Sequence, residues 1–565
     1  MEGRFSVERR SRLVHRALPL FVVLALAGLT AGIVVGGGSS KAERTAASFA
    51  AAWERGDYRA MRRLLSSESR AAVALDDLAS AYRDAAATAT ATTVETSDPE
   101  QHGDMVELQV SVQTRIFGTV SGEVELPVAD DGVVWAPHLT FPGLGRGVSL
   151  GRQTTVPRRA RIVSADGKVM AQGPAGGRSS PLGDAAASIA GAMAPPDDED
   201  ERRRLYARGF PADTPVGVSG LERVFERRLA GRPGGELLAG SRVLARSSPR
   251  PGQPVRTTID TRVQEAASVA LAGRLGGVAA LDPLTGEILA LAGIAFSAPQ
   301  PPGSTFKIVT ATAALESGAV KPSDEFPVET AAIIDGVELE NANGEYCGGD
   351  FTDAFAHSCN SVFAPLGVEV GAERLVETAE RYGWNEDPGI PGALPSSIPP
   401  AAGIVSPLEV ASTAIGQFQL LATTLQMASV AQTIANRGVR HPPTLVPAPR
   451  PPQGVRVTTP RIARTIERLM VAVVEVGTGT LAHVDGVPVA GKTGTAELGD
   501  TRGDDPEAEL RDGDPTNTDA WFTAYAPAGA PRIAVAVMLV RNGAGGTTAA
   551  PAAQTVLVTG LKATL

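Results

Sequence analysis

The sequence predicts a multidomain α+β protein. Its large C-terminal domain is an antiparallel sheet flanked by helices, preceded by a small α+β domain with a curved sheet and by a connecting domain. Three observations carry this. The 565 residues suffice for two to four domains. The apolar period changes from helical spacing in Ala46–Leu65 to alternation at Val106, Leu108, Val110 and Val112. Beyond about Arg256, two apolar runs open the last segment, long helical stretches follow, and three apolar runs close it.

Taken in order, Arg4, Arg9, Arg10, Arg12 and Arg16 precede the uncharged run Ala17–Val35. As a helix this run spans roughly 29 Å, about the hydrocarbon thickness of a bilayer. The basic flank lies before it, so residues 1–16 are expected in the cytoplasm and the rest outside, held by one membrane helix at 17–35; the rival reading is a cleaved signal peptide, since small residues follow the apolar run. Gly36-Gly37-Gly38-Ser39-Ser40 reads as a linker. Residues 41–147 form the first domain: helices at Ala46–Leu65 and about Ser69–Ala87, then strands around Val106–Val112 and Val120–Val128, with a turn at Asp130-Asp131-Gly132. Residues 148–255 are irregular, with short strands at Ala160–Val163 and Val169–Ala171, and the charged run Pro195–Arg204 reads as a solvated loop or helix start.

Residues 256–565 form the third domain. Val263–Leu275 is helical, and Gly277–Leu281 and Glu287–Ala292 make a hairpin. Helices are expected at Pro407–Leu421 and Leu425–Arg437. Strands follow at Val487–Ala490 into Lys492–Ala496, at Ala520–Tyr525 and at Ile533–Leu539, and the helix Ala552–Leu561 ends the domain.

Net charge is −10 with no basic stretch beyond the N-terminus, which disfavours nucleic acid as a partner. The two cysteines and scattered histidines have no metal-ligand spacing, so no metal or cofactor is expected. Only six lysines occur, and only lysine, not arginine, can serve as a basic amine.

Two of those lysines fall in short motifs. Ser304-Thr305-Phe306-Lys307 follows Pro301-Pro302-Gly303, which ends a strand, and opens an apolar helix. Positions i and i+3 share a helix face, so Lys307 can reach Ser304. A serine needs a base to become nucleophilic, and a desolvated lysine is one. Ser358-Cys359-Asn360 is the second motif. Lys492-Thr493-Gly494, followed by Thr495, is the third, at a strand start where Gly494 admits a substrate backbone. Cys347 and Cys359 lie in the exported part, twelve residues apart around Gly348-Gly349, and are expected to form a disulfide that tethers the second motif.

S-x-x-K, S-x-N and K-T-G in this order resemble the motif set of penicillin-binding proteins and β-lactamases. The surroundings PPGSTFK, AFAHSCNSVFA, LLATTLQMASVAQTIANRG and VAGKTGTAE followed by AWFTAYAP resemble class B penicillin-binding transpeptidases. FAAAWERGDYRAMRRLLS through HLTFPGLGRG resembles a MecA-type N-terminal domain, which implies that 148–255 is a pedestal. The resemblance implies a β-lactamase-like transpeptidase domain that cross-links peptidoglycan stem peptides and is acylated by β-lactams. Carried over by motif, Ser304 is the nucleophile and Lys307 its base. Ser358 relays a proton to the leaving D-alanine, Asn360 holds the substrate amide, and Lys492 sets the potential. Thr493 and Thr495 hold the terminal carboxylate, and the N–H groups of Ser304 and Thr495 form the oxyanion hole.

One departure is Phe418 in Gly416-Gln417-Phe418, where many relatives have a second glycine; packing consequences alone are expected. The acidic insert Glu497–Asp519, between two expected active-site strands, reads as a solvated loop, with an active-site flap as the alternative. The same motifs also serve β-lactamases, β-lactam sensors and D,D-carboxypeptidases. The anchor and upstream domains add nothing to a secreted hydrolase, and a sensor normally carries further spans. The implied partners are stem peptides, β-lactams, the membrane and a separate membrane glycan polymerase.

Overall fold

The computed structural model describes residues 39–448, 453–498 and 515–563. The expected membrane span at 17–35 and residues 499–514 of the acidic insert lie outside the described residues. Among the described residues no helix is long and apolar enough to cross a membrane. The chain forms two compact units. One takes in the described residues up to Thr155 with Arg203–Phe210 and Gly234–Ser248; the other holds the remaining described residues.

In the first unit, helices Lys41–Glu54, Tyr58–Arg63, Ser67–Ala72 and Leu75–Ala89 precede an antiparallel meander of Ala91–Thr96, Met105–Thr114 and Gly118–Ala129. Phe49, Met61, Leu78 and Tyr82 from the helices bury against Val106, Leu108, Val110 and Leu126. The helix expected over Ala46–Leu65 is broken. Gly56 takes φ +65°, and the Asp57 carboxylate accepts the Ala60 N–H at 2.9 Å, starting a new helix.

The second unit is built on one five-stranded sheet. Its strands are β1 (Gly276–Leu281), β2 (Ile288–Gly293), β3 (Ala490–Glu497), β4 (Thr518–Ala526) and β5 (Ile533–Leu539), in spatial order β2-β1-β5-β4-β3 and antiparallel throughout. Among its helices are α1 (Thr261–Leu271), α2 (Lys307–Ser317), α3 (Phe351–Ala356), α4 (Asn360–Val370), α5 (Thr424–Ala435), α6 (Pro460–Glu475) and α7 (Gly545–Ala563). All seven residues of β5 are buried, because both faces are covered. Val535, Val537 and Leu539 pack with α1 and α7, whereas Ala534, Ala536 and Met538 pack with α5 and the other helices. The antiparallel sheet flanked by helices is as the sequence predicts.

Two features differ from the expectation. The helix begun at Pro407 stops at Ala414, because Gly416 at φ +88° turns the chain against Gly303. Residues 325–350 form two hairpins that the apolar pattern did not mark, Glu325–Glu329 with Cys347–Asp350 and Ala331–Ile334 with Val337–Glu340.

Within this unit Glu222 is fully buried between two arginines. Arg159 Nε donates to its Oε2 at 2.9 Å and Arg178 Nε to its Oε1 at 2.6 Å, while Arg159 Nη2 also reaches Glu226 at 2.8 Å. Removing the central carboxylate leaves the desolvated Arg178 without a carboxylate and Arg159 with Glu226 alone. Glu222→Leu is expected to cost about 3–5 kcal/mol in urea unfolding of this unit; a loss below about 1 kcal/mol, the scale of an exposed pair, would show that the arginines find other partners.

Candidate active site

The first motif lies on a 3₁₀ turn, Gly303–Phe306, that runs into α2. In a 3₁₀ turn positions i and i+3 eclipse, so Ser304 and Lys307 share a side. Gly303 takes φ +52°, and a Cβ there would lie 2.7 Å from the Thr495 carbonyl oxygen. Only glycine lets the turn sit against β3 this closely. The Gly303 N–H donates to Gly416 O at 2.9 Å, fixing the turn from its other side. Ser304 stays half-buried while Thr305, Phe306 and Lys307 are buried. Phe418, two residues past Gly416, takes φ +66°, so this departure strains the backbone as well as altering packing.

The second motif is a helix terminus. The N–H of Cys359 bonds to Ala354 O at 2.9 Å and that of Ser358 to Phe355 O at 3.1 Å, which closes α3 as a Schellman motif. Ser358 occupies the left-handed position at φ +62°, where glycine is the usual residue. This strained geometry aims both its carbonyl and its hydroxyl at lysines. Lys307 Nζ donates to Ser358 O at 2.7 Å and to Asn360 Oδ1 at 2.6 Å, and lies 3.3 Å from Ser358 Oγ. Lys492 Nζ donates to the same Oγ at 2.8 Å and to Thr493 O at 3.1 Å. Asn360 Nδ2 in turn donates to Glu340 O at 2.6 Å.

Lys307, Ser358, Asn360 and Lys492 therefore meet at one centre, with Ser304 on the turn just before Lys307, but not in the pairing expected from the helix face. The Lys307 amine turns to the second motif, and Ser304 Oγ has no hydrogen-bond partner among the described residues. The acceptors at 2.6 and 2.7 Å take both N–H bonds of a neutral amine, leaving its lone pair for a hydroxyl.

Both amines are fully buried, and the rings of Phe363 and Phe355 stand 5.5 and 5.6 Å from them. Burial, then the neighbouring Lys492 charge, holds Lys307 well below the ordinary lysine value of 10.5. Burial lowers Lys492 to about 7. The pair thus holds one amine ready to accept a proton beside another that keeps a positive potential.

On the other face of β3, Thr493 Oγ1 lies 2.6 Å from Thr478 Oγ1, and Thr495 Oγ1 accepts the N–H of Gly545, the first residue of α7, at 3.4 Å. Hydroxyls beside the N-terminus of a 19-residue helix suit a carboxylate. A Cβ on Gly494 would come within 2.8 Å of Pro302 O and 2.9 Å of Thr305 Cγ2, so this glycine packs against the turn carrying Ser304.

Cys347 and Cys359 are disulfide-bonded with Cα atoms 5.4 Å apart. Cys359 is the middle residue of the second motif, so the bond ties that motif to the hairpin strand Cys347–Asp350. Sequence reasoning missed Asn341, whose buried side chain donates to Glu329 O and Glu345 O and accepts the Ser361 N–H at 2.9 Å. It also missed Thr478, which no motif marks; a threonine between Gly477 and Gly479 was the only available signal.

Residues 276–558 match the family model described as penicillin binding protein transpeptidase domain. A curated relative, peptidoglycan D,D-transpeptidase PbpA of Mycolicibacterium smegmatis, is 33% identical over 410 residues, 60% of this chain and 77% of that protein. PbpA of Mycobacterium tuberculosis is 33% identical over 422 residues, 62% and 79% of the two chains. Among solved structures, the penicillin G acyl-enzyme complex of penicillin-binding protein A from M. tuberculosis matches with a TM-score of 0.56 and 26% identity, covering 72% of this chain and 100% of that one. Pseudomonas aeruginosa PBP2 matches with 0.61 and 25%, over 72% and 96%.

The left-handed Ser358 makes a stability prediction separate from chemistry. Ser358→Gly should unfold about 1 kcal/mol less readily than Ser358→Ala, because both lose the hydroxyl but only glycine sheds the strain. Equal denaturation midpoints would show that the conformation is not strained.

Proposed function

The chain belongs to the penicillin-binding protein transpeptidase family, and on that premise we propose how its residues divide the work. The protein is a serine D,D-transpeptidase that cross-links peptidoglycan stem peptides and is inhibited by covalent penicillin binding. Ser304 Oγ attacks the carbonyl carbon of the D-Ala–D-Ala bond, and its proton passes to the neutral amine of Lys307. The N–H groups of Ser304 and Thr495 receive the developing oxyanion, a role supported by the close packing of Gly303 on Thr495. The C–N bond then breaks, and the leaving D-alanine amine takes its proton by way of Ser358. The amine of a second stem attacks the acyl-enzyme, returns the proton path to its start and frees Ser304. Asn360 holds the substrate amide, and Thr493 and Thr495 take the terminal carboxylate, while Gly494 makes room for the turn that carries Ser304 and not, as the sequence suggested, for the substrate backbone. The observation that carries this division is the Ser358 hydroxyl, 2.8 Å from Lys492 Nζ and 3.3 Å from Lys307 Nζ.

The same reading extends to the rest of the chain. Residues 17–35 anchor it in the cell membrane with residues 1–16 in the cytoplasm; 41–147 are a MecA-type domain, 148–255 a pedestal and 256–565 the extracytoplasmic transpeptidase domain. A membrane glycan polymerase is the partner that would supply its glycan strands. The support is the basic flank, the uncharged run and the helix-then-meander order of the first unit.

Fluorescent penicillin tests the core of the proposal. Ser304→Ala should lose labelling while keeping its melting temperature; labelling at the normal rate would overturn the assignment. Lys307→Arg should be nearly as impaired as Lys307→Ala, about 10²–10⁴-fold, because arginine cannot accept the proton.

The acylation rate should also be bell-shaped in pH. Acid protonates Lys307 and stops it acting as base, and alkali neutralises Lys492, giving a falling limb near about 7 in the free protein. Because the folded value of Lys492 lies below 10.5, the unfolded chain binds more protons between about 7 and 10.5, so this group's contribution to stability rises with pH there. A rate that climbs steadily to pH 10 would show that the charge on Lys492 is not needed.

A further inference from the structure

The hairpins of 325–350 are exposed almost throughout. Among the described residues there, only Ala332, Asn341 and Cys347 are buried. Cys347 is bonded to Cys359 of the second motif. Asn341 is an amide, 4% exposed, on a segment with little apolar cover. Burying an amide costs free energy unless its groups are paired, and here they are. Its Nδ2 donates to Glu329 O at 2.7 Å and Glu345 O at 2.9 Å, and lies 3.2 Å from Ser361 Oγ. Its Oδ1 accepts the Ser361 N–H at 2.9 Å.

The last of these bonds is a helix cap supplied from elsewhere in the chain. Ser361 is the second residue of α4, so its N–H has no partner within the helix. Ordinarily the side chain just before a helix accepts such an N–H. Here that residue is Cys359, whose sulfur is in the disulfide and which makes no side-chain cap. Asn341 takes its place from 20 positions away.

The preceding residue on each side makes a second bond. Glu340 O accepts from Asn360 Nδ2 at 2.6 Å, and Asn360 Oδ1 accepts from Lys307 Nζ at 2.6 Å. A flip of the Asn360 amide would set its oxygen against the Glu340 carbonyl, so Oδ1 stays on the amine. The pair Glu340-Asn341 thus holds the pair Asn360-Ser361 by side chain and backbone together. The Lys307 lone pair is aimed only while both acceptors of its N–H bonds, Ser358 O and Asn360 Oδ1, keep their places.

We propose that Asn341 is a positioning residue for acylation. By capping α4 and bracing the hairpins it keeps Glu340 O on the Asn360 amide and, through Asn360, holds the Lys307 amine in line for proton transfer. This rests on the role given to Lys307 above. The side-chain hydrogen bonds of Asn341 reach neither Ser304 nor the two lysines, so its effect passes through Asn360.

The test is a double-mutant cycle on the full chain in detergent. The rate of benzylpenicillin adduct formation is read by mass and followed over hours, so that slow variants stay on scale. Asn341→Ala should slow acylation at least about tenfold at a temperature well below its own unfolding transition. In an Asn360→Ala background the same substitution should change the rate less than about twofold, because the group it acts through is gone. A residue that only stabilises the fold would cost the same factor in both backgrounds. A normal rate in Asn341→Ala, or an equal loss in both backgrounds, overturns the proposal. If Asn341→Ala fails to fold, Asn341→Asp carries the same cycle. It keeps an acceptor for the Ser361 N–H but loses both N–H donors, and it should slow the reaction in the first background only. Hydrogen exchange of residues 359–363 gives a readout free of chemistry. The Ser361 amide should exchange at least about tenfold faster in Asn341→Ala, and unchanged protection overturns the proposal. A wild-type chain that forms no adduct counts against the catalytic reading and leaves the exchange result readable.

Discussion

Two lysine amines share one serine hydroxyl in a buried site, and much of the second unit serves to keep them there. An amine in water would stay protonated and could not act as a base. Lys307 and Lys492 are buried by helices on one side of the sheet, and each faces a phenylalanine ring. The rings accommodate a cation without solvating it as water does. Neither amine can lose its burial without losing the depressed proton affinity that the chemistry requires, so the packing of α2, α3 and α4 is a functional requirement as well as a structural one.

Holding that arrangement takes backbone strain and close contacts. Ser358 stands in a left-handed conformation, and the disulfide at Cys359 ties the next residue to a hairpin strand. Asn341 gathers the hairpins and the start of α4 through its amide. Around Ser304, Gly303, Gly416 and Gly494 bring three backbone segments closer than any side chain permits. Strained positions of this kind persist only when their surroundings over-determine them. Phe418 belongs to the same group: its φ of +66° places strain on the segment just past Gly416.

The motifs were legible because their chemistry needs particular residue types at short spacing, and the strands because alternation and long apolar runs survive in any context. Ser304 and Lys307 are three apart, and β5 is apolar throughout, so both announce themselves. Element ends were less legible. Gly56 and Gly416 broke helices that periodicity carried further, because a glycine inside a helical pattern does not reveal its φ. The hairpins of 325–350 alternate weakly and are largely exposed, so no apolar stripe marked them.

The sequence by itself determined the fold class of the catalytic unit, the nucleophile and lysine candidates and the family, because these depend on residue identity and local spacing. Only the tertiary structure decided which atoms meet. It turned Lys307 toward Ser358 and Asn360, brought Lys492 across from β3 to the same hydroxyl, and set Thr478 beside Thr493. The reason is physical. Lys307 and Lys492 are 185 positions apart in the chain, and their shared proton affinity exists only once the sheet and helices have closed around both and removed the water between them.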